Sequence, residues 1–210
     1  MGAEVDARID GHVGGGFNPP VPTERGGPDY GRFVDAVRTL QDLTRGADAP
    51  DDVVTAAADL VERANDLLAP HLADEWHSPS GRRMDLPNRG SILSIPQDLR
   101  VVDGRIAGTV EFRRFHLGRN GAVHGGCVAH LFDSLLGFTA FKLSESTRQR
   151  TAYLHVNYRR IAPIDEPLDA DAGIDRIEGR KIFVAGRLTA GGDVLAEAEA
   201  LFVMLKPGQP

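Results

Sequence analysis

The residues best suited to chemistry lie in one short stretch, GAVHGGCVAHLFDSLLG, which spans residues 121–137. His124 is followed by two glycines, and Asp133 stands nine residues after this histidine. A helix that begins at the glycine pair would offer first-turn N–H groups without helical partners and a partial positive charge. Because Gly125 and Gly126 have no side chains, a ligand oxygen can approach these amides closely. Such amides suit the negative oxygen that develops when a nucleophile adds to a carbonyl.

Asp133 is the second feature, because its neighbours along the chain are largely apolar: Val128, Leu131, Phe132, Leu135 and Leu136. A carboxylate held among apolar side chains is costly unless it is paired or solvated. One interpretation is a structural hydrogen bond to a nearby backbone group or hydroxyl. The other is catalytic, with Asp133 acting as general base or nucleophile on a carbonyl bound at a helix N-terminus.

The spacing of these groups has a consequence for assembly. Gly126 and Asp133 are seven residues apart, which is roughly 10 Å along a helix that rises about 1.5 Å per residue. One small carbonyl cannot contact both groups, since each contact requires about 3 Å. Two helices packed antiparallel about a two-fold axis would place Asp133 of one subunit near the glycines of the other. We therefore expect a homodimer, or a dimer of dimers, with two sites at the subunit interface.

Two other chemistries use the same stretch. Cys127 would lie near a helix N-terminus, where the pKa of a thiol can fall, although a small buried cysteine is the commoner case. His130 and Asp133 have the i, i+3 spacing of a ligand pair, but further ligands at recognisable spacing are missing,. We therefore expect no metal and rank a cysteine nucleophile below Asp133.

The elements that must hold these residues follow from hydrophobic periodicity. A helix is predicted from the glycine pair to about Leu143, apolar on nearly all sides and therefore buried,. Six segments have strand character: GSILSIP, GRIAGTVEFRR, TAYLHVNYRR, PLDADAGIDRIEG, RKIFVAGRLT and VLAEAEALFVML,. EGRK and AGGD are predicted turns between the last three. Two strands, a long helix and four strands predict an α+β hotdog fold, a six-stranded antiparallel sheet wrapped round one helix.

The chain before this domain divides into three parts. Residues 1–29 are rich in Gly and Pro and are predicted to be a flexible arm,. Residues 30–72 have helical periodicity and predict a helical hairpin, with Asp51 or Asp52 capping its second helix. Residues 73–90 are predicted to be a linker or covering loop, and residues 91–206 the hotdog domain. The hairpin is expected to pack on the main domain or on a partner subunit, and its role stays open.

Charge and composition exclude several functions. Residues 1–90 carry a net charge of −7 and residues 91–210 a net charge of +1, so the chain lacks the basic footprint of a nucleic-acid reader. The longest apolar runs fall short of the roughly 20 residues of a membrane span. No secretory signal is recognisable at the N-terminus. The single cysteine, Cys127, fits a reducing cytoplasm,.

At these residues the chain resembles the acyl-CoA thioesterases of the hotdog superfamily. The matching pieces are GAVHGGCVAHLFDSLLGF, TAYLHVNYRR, IEGRKIFVAGRL and AEAEALFVML, and they cover about residues 88–206. The resemblance is greatest to the phenylacetate-pathway type and the thioesterase superfamily member 4 subgroup. It implies hydrolysis of an acyl-CoA, in which CoA is part of the substrate and no cofactor is needed.

The resemblance also implies roles for individual residues. Asp133 falls on the catalytic carboxylate, the His124-Gly125-Gly126 motif on the amides that polarise the thioester carbonyl, and Thr151 on a hydroxyl that positions water. A further set falls where such enzymes contact CoA: Asn157, Arg159, Arg160, Arg180 and Lys181.

One departure from the pattern of the family, and the range of functions of the fold, leave other functions open. Many relatives of the phenylacetate type carry an Asn six residues before the histidine of the motif, where this chain has Gly118. A hotdog domain can also bind acyl-CoA without turnover, as a regulator or a protein-interaction module. The hydratases of the same fold are a further alternative, but their characteristic motif is not visible in this sequence.

Overall fold

The structure is a computed structural model that describes residues 21–74, 76–144, 146 and 148–206. The chain divides into two compact units, one formed by Pro22–Ile92 and the other containing the described residues from Leu93 onward. Residues 1–20 of the predicted flexible arm lie outside the described residues.

The second unit contains a six-stranded sheet and one long helix. The strands are β1 (Gln97–Val102), β2 (Arg105–Glu111), β3 (Gln149–Tyr158), β4 (Pro167–Glu178), β5 (Lys181–Ala190) and β6 (Asp193–Met204). Their order across the sheet is β1-β2-β4-β5-β6-β3, and every pairing is antiparallel. The helix Gly125–Leu143 follows β2. The hotdog fold and the order of elements predicted from the sequence are confirmed.

Alternation along the strands produces a helix-facing side and an outer side of the sheet. In β6 the residues Ala196, Ala198 and Ala200 are buried, whereas Glu197 and Glu199 between them point to the opposite face. Small side chains on the inner face allow the helix to lie close to the sheet. Burial of this alternating apolar set supplies the main driving force for the fold.

The long helix, here named α1 because it carries the candidate site, has one buried and one open face. Its buried residues are Val128, Leu131, Phe132, Leu135, Leu136, Thr139 and Ala140. Gly126 and Asp133, which are seven residues apart and therefore on one face, are exposed,. Within the described subunit the sheet covers one side of this helix, and most residues on its other side are half-buried.

The hairpin of β1 and β2 corrects the first predicted strand. Residues 90–96, GSILSIP, form no strand, and β1 begins only at Gln97. The connection is the two-residue turn Asp103-Gly104, with φ of 49° and 75°, which pairs Val102 with Arg105. Asp-Gly is a strong signal for such a tight hairpin. The position of this turn places β1 after the apolar run of residues 90–96 that was predicted to be the strand. The predicted turns at EGRK and AGGD are confirmed by the pairing of the strands on either side.

The first unit contains two helices, α2 (Tyr30–Gly46) and α3 (Asp51–Leu68), as the periodicity predicted. Within the described residues, α2 buries only Val34 and Arg38, and α3 buries none of its residues. The predicted cap is wrong. Pro50 occupies the N-cap position of α3, and Asp51 and Asp52 lie in its first turn. Acidic side chains in the first turn stabilise a helix through their interaction with the positive end of its dipole.

The segment predicted as a linker, residues 73–90, is tied into the first unit by a buried arginine. Arg83 donates hydrogen bonds to the carbonyl of Gly27, at 2.8 Å, and to both carboxylate oxygens of Asp85. The hydrogen-bonded guanidinium of Arg83 lowers the pKa of the Asp85 carboxyl. The segment ends in a turn, Pro87–Gly90, in which Asn88 and Arg89 have positive φ angles of 49° and 55°. Throughout the described ranges, each helix is too short or too polar to cross a lipid bilayer.

Gly186 provides a test of the close packing between the sheet and α1. A methyl group at Gly186 would lie 2.9 Å from Leu136 Cδ2 and 2.9 Å from the carbonyl oxygen of Asp171. We expect Gly186→Ala to lower the free energy of unfolding by about 1–3 kcal/mol, the usual cost of overpacking. Urea unfolding measures this free energy, and Ala185→Ser, at the neighbouring exposed position, is the control. Equal stability of the two variants would contradict the packing described.

Candidate active site

The site is built on the turn that leads into α1. The amide of His124 donates to the carbonyl of the buried His116 at 2.8 Å, and the amide of Val123 donates to the carbonyl of Ala162 at 2.9 Å. His124 has an extended backbone, with φ −61° and ψ 129°, and is the N-cap residue of the helix. These bonds fix the direction from which the chain enters the helix.

His124 also uses its ring to satisfy the start of the helix. Its Nδ1 accepts a hydrogen bond from the amide of Gly126 at 3.0 Å. Its carbonyl accepts from the amides of Cys127 at 2.8 Å and Val128 at 3.3 Å. An Nδ1 that accepts must be unprotonated, so a neutral ring carries its hydrogen on Nε2. The expectation that both glycine amides are bare is therefore wrong for Gly126.

The amide of Gly125 is the remaining donor of this turn. Within residues 21–74, 76–144, 146 and 148–206, it has no hydrogen-bond acceptor. The other three amides of the turn are taken up by His124, so the unpaired hydrogen and the helix dipole act at a single point. A carbonyl oxygen can be received there without displacing an internal hydrogen bond.

Asp133 lies on the open face of α1 rather than in the apolar interior. The expectation of a buried carboxylate is therefore wrong in the described subunit, because the sheet covers the opposite side of the helix. The hydroxyl of Thr151 donates to Oδ1 of Asp133 at 3.1 Å. One carboxylate oxygen is thus held, and the exposed side chain is accessible to water.

A β-bulge brings Thr151 to Asp133. Thr151 pairs with Phe202 and Tyr153 pairs with Leu201, so Ala152 is an extra residue in β3. Residues two apart on a regular strand share a face, but the bulge turns Thr151 toward the side on which Phe202 is buried,. The sequence singled out Thr151, but it carried no signal for this change of face.

The structure does not bring Asp133 and the glycine pair of one subunit together. Gly125 and Asp133 are eight residues apart in one helix, or about 12 Å along its axis. A single thioester carbonyl therefore cannot contact both groups of the same subunit.

The five candidate CoA-binding residues lie at separate places. Asn157 pairs with Glu197 and lines a depression on the outer face of the sheet, the face away from Thr151. Arg159 is ion-paired with Glu197 at 3.0 Å, and Arg160 with Asp193.

Arg180 and Lys181 lie together at the start of β5. Arg180 donates to the carbonyl of Met204 at 2.8 Å, and Lys181 is exposed.

The structure bears on the two alternative chemistries, a nucleophilic Cys127 and a metal site at His130 and Asp133. Cys127 is partly buried, and burial raises the pKa of its thiol, which disfavours a nucleophilic thiolate. A ring nitrogen of His130 lies 3.1 Å from the carbonyl oxygen of Leu93. The described residues contain no group of three His, Cys, Asp or Glu arranged to hold a metal ion.

Tyr158 is a site residue that the sequence analysis missed. Its hydroxyl donates to the carbonyl of Gly125 at 2.8 Å. The available signal was its place in the alternating strand, where Leu154, Val156 and Tyr158 share one face,.

Gly118 lies close to the backbone of His124. A Cβ at this position would lie 3.0 Å from Cα of His124, so a larger residue would fit there only if the backbone shifted.

Comparisons with known proteins place this domain in context. The family model described as "Thioesterase superfamily" matches residues 120–197. The chain is 36% identical over 92 residues to acyl-coenzyme A thioesterase THEM4 from Xenopus laevis, which is 43% of this chain and 40% of that protein. It is 34% identical over 95 residues to THEM4 from Rattus norvegicus, covering 44% of this chain and 40% of the relative. The chain thus spans about two fifths of the length of these curated relatives.

A solved structure extends the similarity to most of the chain. It is a crystal structure of a thioesterase superfamily protein, with a TM-score of 0.67 and 28% sequence identity, covering 93% of this chain and 98% of that one. The resemblance to hotdog thioesterases that the sequence predicted is confirmed.

The capping role of His124 can be tested by stability. We expect His124→Ala to lower the free energy of unfolding by about 0.5–2 kcal/mol, since the Gly126 amide loses its acceptor, whereas His124→Asn should retain most of it. Urea unfolding is the measurement. His155→Ala is the matched control, because that histidine is exposed and makes surface contacts with Glu199 and Tyr153. If His124→Ala were no less stable than this control, the cap would be disproved.

Proposed function

From a hotdog domain that matches the thioesterase superfamily, we propose that this chain hydrolyses the thioester bond of an acyl-CoA. The observation that carries the proposal is the unpaired amide of Gly125 at the start of α1. An exposed carboxylate, Asp133, held by Thr151, supports it. The relatives named as acyl-coenzyme A thioesterases support the same class of substrate.

In the proposed reaction the thioester oxygen accepts a hydrogen bond from the Gly125 amide. The negative charge that develops on this oxygen is stabilised by the same N–H and by the helix dipole. Asp133 removes a proton from the attacking water, or attacks the carbonyl itself. When Asp133 acts as the base, a carbon–oxygen bond to the water forms, the carbon–sulfur bond breaks, and the proton passes from Asp133 to the departing thiolate. When Asp133 attacks, the thioester is exchanged for an acyl anhydride with Asp133, which water then hydrolyses. Both routes give the free acid and the thiol of CoA.

Thr151 has a defined part in this scheme. Because its hydroxyl donates to Oδ1 of Asp133, it restricts the rotation of the carboxylate and leaves Oδ2 to receive the proton or to attack. The proposed water-positioning role of Thr151 then acts through the orientation of Asp133. No resident metal or redox cofactor takes part, because CoA itself provides a good leaving group.

The polyanionic CoA moiety is proposed to contact Asn157, Arg159, Arg160, Arg180 and Lys181. The carboxylate partners of Arg159 and Arg160 are about half exposed. Exposed ion pairs contribute little free energy, so phosphate groups can replace these partners. Since Asn157 lies on the outer face of the sheet, we restrict its proposed contact to the nucleotide end of CoA.

We further propose that the active unit is a homodimer, alone or within a dimer of dimers. The separation of about 12 Å between Gly125 and Asp133 in one helix requires the second group to come from another subunit. Among the described strands, β3 lies at an edge of the sheet and pairs only with β6. A ten-residue strand with a free edge is suited to pair with its own copy across a two-fold axis,.

The proposed compartment follows from cysteine usage. Since Cys127 is the single cysteine, we propose that the protein works in a reducing cytoplasm,.

The proposed catalytic carboxylate is tested by Asp133→Asn. Release of free thiol is followed with acyl-CoAs of different chain length. We expect turnover of the best substrate to fall by at least about a hundredfold, the scale of a general base, with unchanged folding. The control is Asp103→Asn, at a turn residue with φ 49°, where Asn is equally well accommodated.

The outcomes of this assay separate the candidate functions. Turnover that survives Asp133→Asn contradicts the assigned role. Tight binding of acyl-CoA by the unaltered protein without any thiol release favours a non-catalytic regulator instead.

The two-subunit site is tested by mixing inactive subunits. Gly125→Pro removes the proposed N–H donor at the first position of the helix, where proline is tolerated. The extended backbone of His124 before it suits a following proline,. Gly125→Ala retains the N–H and is the matched control, with its methyl group 3.5 Å from Tyr158 Oη.

We expect Gly125→Pro and Asp133→Asn to be inactive alone and active when mixed. Each heterodimer has one intact site, so random mixing should restore about a quarter of the unaltered activity. Failure of verified heterodimers to recover turnover would contradict a shared site.

A further inference from the structure

The hydroxyl of Tyr158 makes a contact that the proposed reaction does not use. Tyr158 is the last residue of β3, and its Oη lies 2.8 Å from the carbonyl oxygen of Gly125. The side chain points to the helix side of the sheet, because Tyr158 pairs with the buried Ala196. The strand thus bonds to the first residue of α1 through this hydroxyl.

The carbonyl of Gly125 and the amide of Gly126 belong to one planar peptide group. Tyr158 donates to the oxygen of this group, and Nδ1 of His124 accepts from its nitrogen. The peptide group is therefore held at both ends by side chains from different elements. Since a carbonyl oxygen has two lone pairs, the bond from Tyr158 is compatible with the normal helical bond to the same oxygen.

Pinning this peptide group also restricts the unpaired amide of Gly125. Gly125 has no side chain that could fix its backbone by packing, and glycine is the most flexible residue. The preceding peptide group, which contains the Gly125 N–H and the carbonyl of His124, is held as well, because this carbonyl accepts from Cys127 and Val128. With both peptide groups of Gly125 held, its N–H points in a fixed direction. A donor that is already oriented need not reorganise when charge develops on the substrate.

We propose that Tyr158 is a positioning residue that holds Gly125 so that its free amide is aimed at the thioester oxygen. This inference rests on the proposed function. It assigns β3 to both halves of the site, since Thr151 of the same strand holds Asp133.

The kinetic test is Tyr158→Phe, which removes the hydroxyl and retains the ring. We expect kcat for thiol release to fall about three- to tenfold with KM unchanged within about twofold, because the amide matters most in the transition state. Tyr153→Phe is the matched control, on the same strand but on the outer face and similarly accessible. Equal kcat in the two variants, or a loss confined to KM, would overturn the proposal.

A second measurement does not depend on activity. Hydrogen exchange of backbone amides, followed by NMR, should show at least about tenfold faster exchange at Gly126 in Tyr158→Phe, while the mid-helix amide of Leu135 is unchanged. Tyr153→Phe should alter neither amide. Unchanged exchange at Gly126 would overturn the positioning role even if the protein hydrolysed no acyl-CoA. Absence of thiol release from the unaltered protein, with the exchange effect present, would instead reject the proposed function alone.

Discussion

The structure depends on how one helix satisfies its first-turn amides. His124 accepts hydrogen bonds from three of these amides, one through its ring and two through its carbonyl. The amide of Gly125 is left without an acceptor in the described residues. A helix start with no side-chain cap would spread its affinity for an anion over several donors. Here the positive end of the helix dipole acts through one N–H with a defined position. The chemistry proposed for this protein follows from that asymmetry between the two glycines.

Strand β3 is the element that connects the separate parts of the site. Its bulge at Ala152 turns Thr151 to the helix side, where it bonds Asp133, and its last residue, Tyr158, bonds Gly125. The strand also has the free edge through which a second subunit can add to the sheet. Pairing at this edge would couple formation of the dimer to the geometry of both functional groups. Assembly and catalysis are then properties of the same strand.

Much of this architecture could be predicted from the sequence, because it depends on local patterns. The glycine pair and the following apolar run gave the bounds of the long helix, and alternation gave five of the six strands. The errors arose where distant groups decide the outcome. The burial of Asp133 depends on which side of α1 the sheet covers. The occupied amide of Gly126 depends on the orientation of one imidazole ring, which no sequence pattern specifies.

The central claim is that Gly125, rather than Gly126, provides the free amide for the substrate oxygen. It is tested most directly by NMR of the protein labelled with nitrogen-15 and titrated with a ketone analogue of an acyl-CoA, in which a methylene group replaces the thioester sulfur. This analogue retains the carbonyl but cannot be hydrolysed. The account predicts that the amide proton of Gly125 shifts downfield as it forms a hydrogen bond to the carbonyl, while Gly126 keeps its bond to His124. A large shift at Gly126 with none at Gly125 would contradict it.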